Sequence, residues 1–164
     1  MQQFKYDKNV IYFMKSLVVY YSRSNITKKL AENIKAKTGS DIEQVIPKVN
    51  YEGKLGYARG GKDAVLAKIV ELESLKYDPQ DYDMVYIGSP VWASKAANPI
   101  ISYLKQNEGK FSNVKFFLTA ASSGFESSFK QMEEYSIKPQ KTLALTTKEV
   151  KKDLFEEKLI SFIE

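Results

Sequence analysis

Short apolar runs, polar turns and stretches of helical spacing alternate along this chain. Leu17-Val18-Val19-Tyr20-Tyr21 is β-rich and not alternating, which suits a central strand covered on both faces. Apolar residues then recur at Ile26, Leu30 and Ile34 on one side of a predicted helix that ends near Lys37-Thr38-Gly39. Asp41 to Ile46 reads as a second strand closed by Pro47, and strand, helix, strand at this spacing predicts a right-handed parallel crossover. Pro47 to about Lys62 is polar, aromatic and glycine-rich, a long connection that is either functional or a mobile surface loop. A helix is predicted after it, with Val65, Leu66, Ile69, Val70 and Leu72 as its buried stripe.

Met84 to Gly88 is the third strand, again of the fully buried type, and it leads into the turn Ser89-Pro90-Val91-Trp92-Ala93-Ser94-Lys95. Asn98-Pro99 opens a helix in the order N-cap then Pro, with Ile100, Ile101 and Leu104 facing inward. Val114 to Thr119 is the fourth strand, followed by Ala120-Ala121-Ser122-Ser123-Gly124 and a helix marked by Phe125, Phe129 and Met132. Thr142 to Thr146 is a fifth strand. Thr146 with Glu149 forms a capping box for a last helix whose stripe is Val150, Leu154, Leu159 and Phe162. This succession predicts a three-layer, doubly wound α/β domain over residues 16–164 with a five-stranded parallel sheet. Residues 1–15 stand apart as an N-terminal extension, in which Asn9 to Phe13 reads as an added edge strand or as a lead-in.

Composition narrows the chemistry mainly through what is missing. The 164 residues include neither His nor Cys. That removes thiolate chemistry, iron–sulfur ligation, the usual zinc sites and the Ser-His-Asp and Cys-His mechanisms, so any chemistry falls to a bound cofactor. No catalytic residue and no metal site is assigned. The formal charge of +5 is concentrated in the first 64 residues and points to an acidic partner. No dense basic run supports nucleic-acid binding and no apolar run is long enough to span a membrane. The start lacks a secretion-signal pattern, so a cytoplasmic setting is expected.

In such sheets a ligand sits beyond the carboxyl ends of the strands, where strand order reverses. Three turns follow strands and gather there. The first, Ser22-Arg23-Ser24-Asn25-Ile26-Thr27, joins hydroxyls and an amide to a helix start, a natural seat for phosphate. It lacks the glycines and Lys of a P-loop, and the plainer reading is that Ser24 or Asn25 simply caps the helix. The second turn carries the only Trp, which either folds back over the sheet edge or forms a platform for an aromatic ligand. The third is small and hydroxyl-rich. Together they imply a ligand with a phosphate at one end and a flat ring at the other.

The segments Tyr20 to Lys28, Tyr82 to Trp92 and Phe117 to Gly124 resemble the three flavin-mononucleotide loops of the flavodoxin family, and Gly56 to Ala64 resembles a segment of its short-chain members. The resemblance implies strand order 2-1-3-4-5 and a noncovalently bound FMN. It implies that Ser22, Ser24 and Thr27, with the backbone N–H groups of Asn25 and Ile26, hold the phosphate, Arg23 lying in the same loop. Pro90, Val91 and Trp92 would border the isoalloxazine, Trp92 by its face and with Ala93 alongside, while Ala120, Ala121, Ser122, Ser123 and Gly124 line its pyrimidine side. Asn25-Ile26 replaces the family's Gly-Asn, and Ala93-Ser94 stands where many relatives place glycine, implying a stiffer backbone beside the ring. The basic charge implies a less negative potential than that of acidic carriers. The role implied is an electron carrier, monomeric or weakly dimeric, serving redox proteins acidic at the contact. The alternatives are an FMN-dependent NAD(P)H:quinone-type oxidoreductase, or a flavodoxin-like interaction domain that has lost its flavin.

Overall fold

The computed structural model describes residues 14–164; the suggested strand at Asn9 to Phe13, and residues 1–13 of the extension, lie outside the described residues. The parallel strands are β1 (Ser16–Tyr20), β2 (Asp41–Gln44), β3 (Met84–Trp92), β5 (Val114–Ala120) and β6 (Thr142–Thr146). Their order is β2-β1-β3-β5-β6. A two-residue β4 (Lys95–Ala96) folds back antiparallel on the end of β3. Setting β4 aside, this is the order 2-1-3-4-5 that the resemblance implied. Val19 stands opposite Ile87 and Ile87 opposite Phe116, so the register runs level across the three central strands.

Among the described residues six α-helices cover the sheet: α1 (Ile26–Thr38), α2 (Gly53–Val65), α3 (Asn98–Gln106), α4 (Phe125–Glu134), α5 (Thr147–Lys151) and α6 (Glu156–Ile163). Side chains alternate across a strand, which is why the core divides in two. Leu17, Val19, Val85, Ile87, Phe116 and Leu118 pack with Ile100 and Leu104 of α3 and Met132 of α4. Val18, Tyr20, Tyr86, Phe117 and Leu145 pack on the other face with Leu30 and Ile34 of α1, Val150 of α5 and Leu159 and Phe162 of α6. Helix α1 ends as its sequence predicts: Gly39 is left-handed at φ 70° and its N–H donates to the carbonyl of Lys35 at 2.8 Å.

The structure departs from the sequence pattern in three helices. The predicted helix after Lys62 lies earlier, as α2, within the segment expected to be a loop. Val65 and Leu66 of the expected stripe are exposed, Ile69 is largely so, and Ala67 leaves the helical region at φ 49°. Leu72 instead bridges Pro47 beside β2. Four glycines made this segment look non-helical, but two are demanded by packing: a Cβ on Gly56 would fall 2.2 Å from the Tyr51 backbone, and one on Gly60 3.0 Å from the Trp92 ring. At α3 the N-cap is Ala97, while Asn98 is the first helical residue and its amide donates to the backbone carbonyls of Asp63 and Lys68. The last helix is broken at Asp153 (φ 55°), which leaves Leu154 exposed and buries Phe155 in its place.

The capping box at α5 is formed, with Glu149 accepting from the Thr146 N–H at 2.7 Å and from Lys158 Nζ at 2.7 Å. The Lys158 contact, followed by the bonds to Thr146, holds the Glu149 carboxyl down at about 2 from its ordinary 4.5. A depressed carboxylate stabilises above its ordinary value, and that contribution disappears as pH falls through about 2. Glu149→Gln therefore lowers the unfolding temperature at pH 6, and the difference from the parent narrows steadily as thermal melts are taken from pH 4.5 toward pH 2.

Candidate functional site

A cleft of about 420 Å³ lies at the carboxyl edge of the sheet. Arg23, Ser24 and Ile26 reach it from the first turn and the start of α1; Pro90, Val91 and Trp92, expected in the second turn, reach it from the end of β3, with Ala93 just beyond; Ala120 ends β5 and Ala121 follows it. The three turns singled out from sequence therefore meet. Tyr57 and Gly61 of α2, Thr119 of β5 and Thr147 of α5 complete the wall. Arg23 is the one charged residue among the described residues that line it.

The first turn is shaped by Asn25, which is left-handed at φ 63°. Asn tolerates this conformation better than most residues, and so the turn forms without a glycine. No side chain caps α1 and no acidic residue stands in its first turn, which removes the plainer reading of Ser24 or Asn25 as a side-chain cap. The uncapped helix start keeps its positive dipole end and its N–H groups available. The Ser22 hydroxyl just before it is buried without a hydrogen-bond partner. An orphaned hydroxyl beside an uncapped helix start fits an anionic group. Ser22 itself opens on an adjoining hollow of about 330 Å³ between the β1 and β2 loops, and Asn25 is exposed.

Thr27 does not line the cleft; it is buried, and its hydroxyl pairs with that of Thr119 at 2.8 Å. Each hydroxyl carries one proton and the pair uses one, so a donor is left over at the seam between the first and third turns. Ser122 and Ser123 are exposed outside the cleft. Gly124, left-handed at φ 89°, lies under the second turn, where a Cβ would come within 2.8 Å of Val91 and 2.9 Å of Ser94. Ser127 adds a hydrogen bond to the Ser94 carbonyl at 2.7 Å. The far half of the third turn thus supports the second.

Trp92 is only 7% exposed, so it is not an open platform. Its edge contacts are with Tyr21 (5.4 Å between centroids) and Tyr51 (5.1 Å), and Gly60 of α2 presses on the ring. Tyr51 is held in turn by its bond to the buried Asp63 carboxylate at 2.7 Å. Burial first, and then that bond, push the Tyr51 phenol well above its ordinary value. Burial likewise pushes Tyr21 up to about 12, with Arg23 opposing. Both rings are neutral across the physiological range and act as props rather than proton carriers. Ala93 (φ 47°) and Ser94 (φ 61°) are both left-handed, forming the two-residue turn between β3 and β4 without a glycine, at a cost of roughly 1–2 kcal/mol each.

Tyr57, Gly61 and Thr147 were not singled out as site residues. The resemblance of Gly56 to Ala64 did flag the first two, and Thr147 follows a parallel strand as the other turns do. Among the described residues no cluster of His, Cys, Asp and Glu could hold a metal ion, and no helix is long and apolar enough to cross a membrane.

A parallel sheet in this order with a cleft at the switch between β1 and β3 defines a flavodoxin-like α/β protein. The flavodoxin family model matches residues 15–163, and the chain belongs to that family. Its fold is similar to the flavoprotein in complex with FMN from Lactobacillus acidophilus NCFM, with 27% identity, a TM-score of 0.70 and coverage of 85% of this chain and 97% of that one. It is also similar to oxidised flavodoxin 2 from Bacillus cereus (17% identity, TM-score 0.54, 90% and 97% covered). A third similar structure is an NADPH-quinone reductase from P. pentosaceus (12%, 0.51, 92% and 96%). No curated protein matches the chain at a significant level.

The hydroxyl pair between the turns yields a direct test. Thr27→Val leaves the Thr119 hydroxyl buried without its partner and lowers stability by about 1–3 kcal/mol in urea denaturation, and Thr27→Val with Thr119→Val recovers most of the loss.

Proposed function

We propose that this chain binds FMN noncovalently in the cleft and passes electrons between larger redox proteins. The observation that carries the reading is the buried, partnerless Ser22 hydroxyl beside the uncapped start of α1, in the hollow that adjoins the cleft. FMN supplies reversible one- and two-electron chemistry when bound; the chain binds, orients and shields it. Ser22, Ser24 and the first N–H groups of α1 are suited to hold its phosphate. Pro90, Val91, Trp92 and Ala93 on one side, with Thr119, Ala120 and Ala121 on the other, offer an apolar slot with backbone donors and acceptors.

The likeness to the FMN complex from L. acidophilus supports the cofactor. At about 420 Å³ the cleft lies within the roughly 300–1,000 Å³ of small-molecule sites, a size that suits a cofactor. A carrier is favoured over an enzyme by the segment from Tyr51 to Gly61, which could have lined open space for a quinone: its Tyr51 ring and Gly60 of α2 are both packed on Trp92. With Arg23 the one charged group on the wall, the site favours negative charge, and the potential lies above that of acidic carriers. Redox partners acidic at the contact would suit the excess of basic residues in the first 64 positions.

The purified protein is expected to be yellow and to release FMN on denaturation. Ser22→Ala should weaken FMN binding about tenfold in a fluorescence titration while changing riboflavin binding little, since only FMN carries the phosphate. Equal losses for both ligands would show that Ser22 does not serve the phosphate. Steady NAD(P)H turnover with a quinone would replace the carrier by the oxidoreductase, and a protein that stays colourless with added flavin would remove the cofactor altogether.

A further inference from the structure

We infer that Arg23 is a displaceable cover on the aromatic wall of the cleft, its guanidinium occupying the place beside Trp92 that a planar ligand must claim. This inference rests on the flavin reading above and adds a competing residue to it. The guanidinium carbon lies 4.6 Å from the centre of the Tyr57 ring and 5.6 Å from that of Trp92. Both are within the reach of a cation–π contact, and guanidinium is the flattest cation a protein owns, the one that most resembles a small ring in how it stacks.

What holds Arg23 there is weak in a specific way. No carboxylate among the described residues lies within ion-pair distance of it. Tyr57, its outer neighbour, is 66% exposed and contributes nothing to the core. The arrangement accounts for a contradiction in Trp92, which lines the cleft and yet is 7% exposed. Tyr21, Tyr51 and Gly60 cover the ring from the core and from α2, and Arg23 covers it on the side of the first turn. Core contacts are fixed by packing, whereas a half-buried loop side chain held by rings alone can leave.

The same residue therefore acts with opposite sign on the two ends of the ligand. As a cation at the cleft it draws the phosphate in, and as a stacked plane it competes with the flat ring. Each ring contact is worth a factor of about two to five in an equilibrium constant. Removing the side chain should thus tighten a ring that has no phosphate and do less, or the reverse, for one that has.

Arg23→Ala, with Tyr57→Ala as a second variant at an exposed position, tests this on the full chain stripped of flavin. Trp92 is the only tryptophan in the sequence, so acrylamide quenching of its fluorescence reads the cover directly. Quenching should rise in both variants, and riboflavin should bind Arg23→Ala about two- to fivefold more tightly than the parent, with a smaller gain or a loss for FMN. Unchanged quenching in both variants overturns the cover. So does riboflavin that binds the parent but binds Arg23→Ala no more tightly although Trp92 has opened. Quenching that rises while neither flavin binds any form overturns the flavin reading and supports the cover as one for another planar ligand.

Discussion

Strands that run parallel cannot be joined by tight turns, so every connection between the five parallel strands leaves from one edge and returns to the other. That constraint decides where everything else can be. With β1 and β3 adjacent and the chain winding outward to both sides, the turns after β1, β3 and β5 open on the same rim. The cleft is therefore not an added feature. It is the gap left where the two halves of the winding part company.

What fills the rim follows from a division of labour among residues. The strands supply stiffness through two apolar layers, one on each side of the sheet. The turns carry the polar groups, and their geometry is set by left-handed residues at Asn25, Ala93, Ser94 and Gly124. Helix α2 belongs to neither group. It lies across the second turn, touches Trp92 through a residue without a side chain, and brings Tyr57 to the mouth of the cleft.

Much of this was legible in the residues, and each exception has its own physical cause. Uninterrupted apolar runs such as Leu17 to Tyr21 and Met84 to Ile87 mark strands buried on both faces because no other element needs that pattern at that length. The three turns were legible for the same reason, as polar stretches placed immediately after such strands. Helix α2 was not, because Gly56 is dictated by the Tyr51 backbone and Gly60 by the Trp92 ring, and both glycines suppress the local helical signal. Leu154 and Phe155 exchange places because a single left-handed residue, Asp153, resets the phase of the last helix, which apolar spacing cannot reveal. The covering of Trp92 was equally hidden, since it arises from residues on three separate segments.

The turn between β3 and β4 has one more implication. Two consecutive left-handed residues with side chains leave the intervening peptide very few alternatives, because each reversal would have to carry a Cβ through forbidden ground. Glycine in either position would let that unit invert and present a carbonyl in one setting and an amide in another. Here the wall offers a single frozen pattern of dipoles, and any molecule that changes its charge against it must do all the adjusting itself.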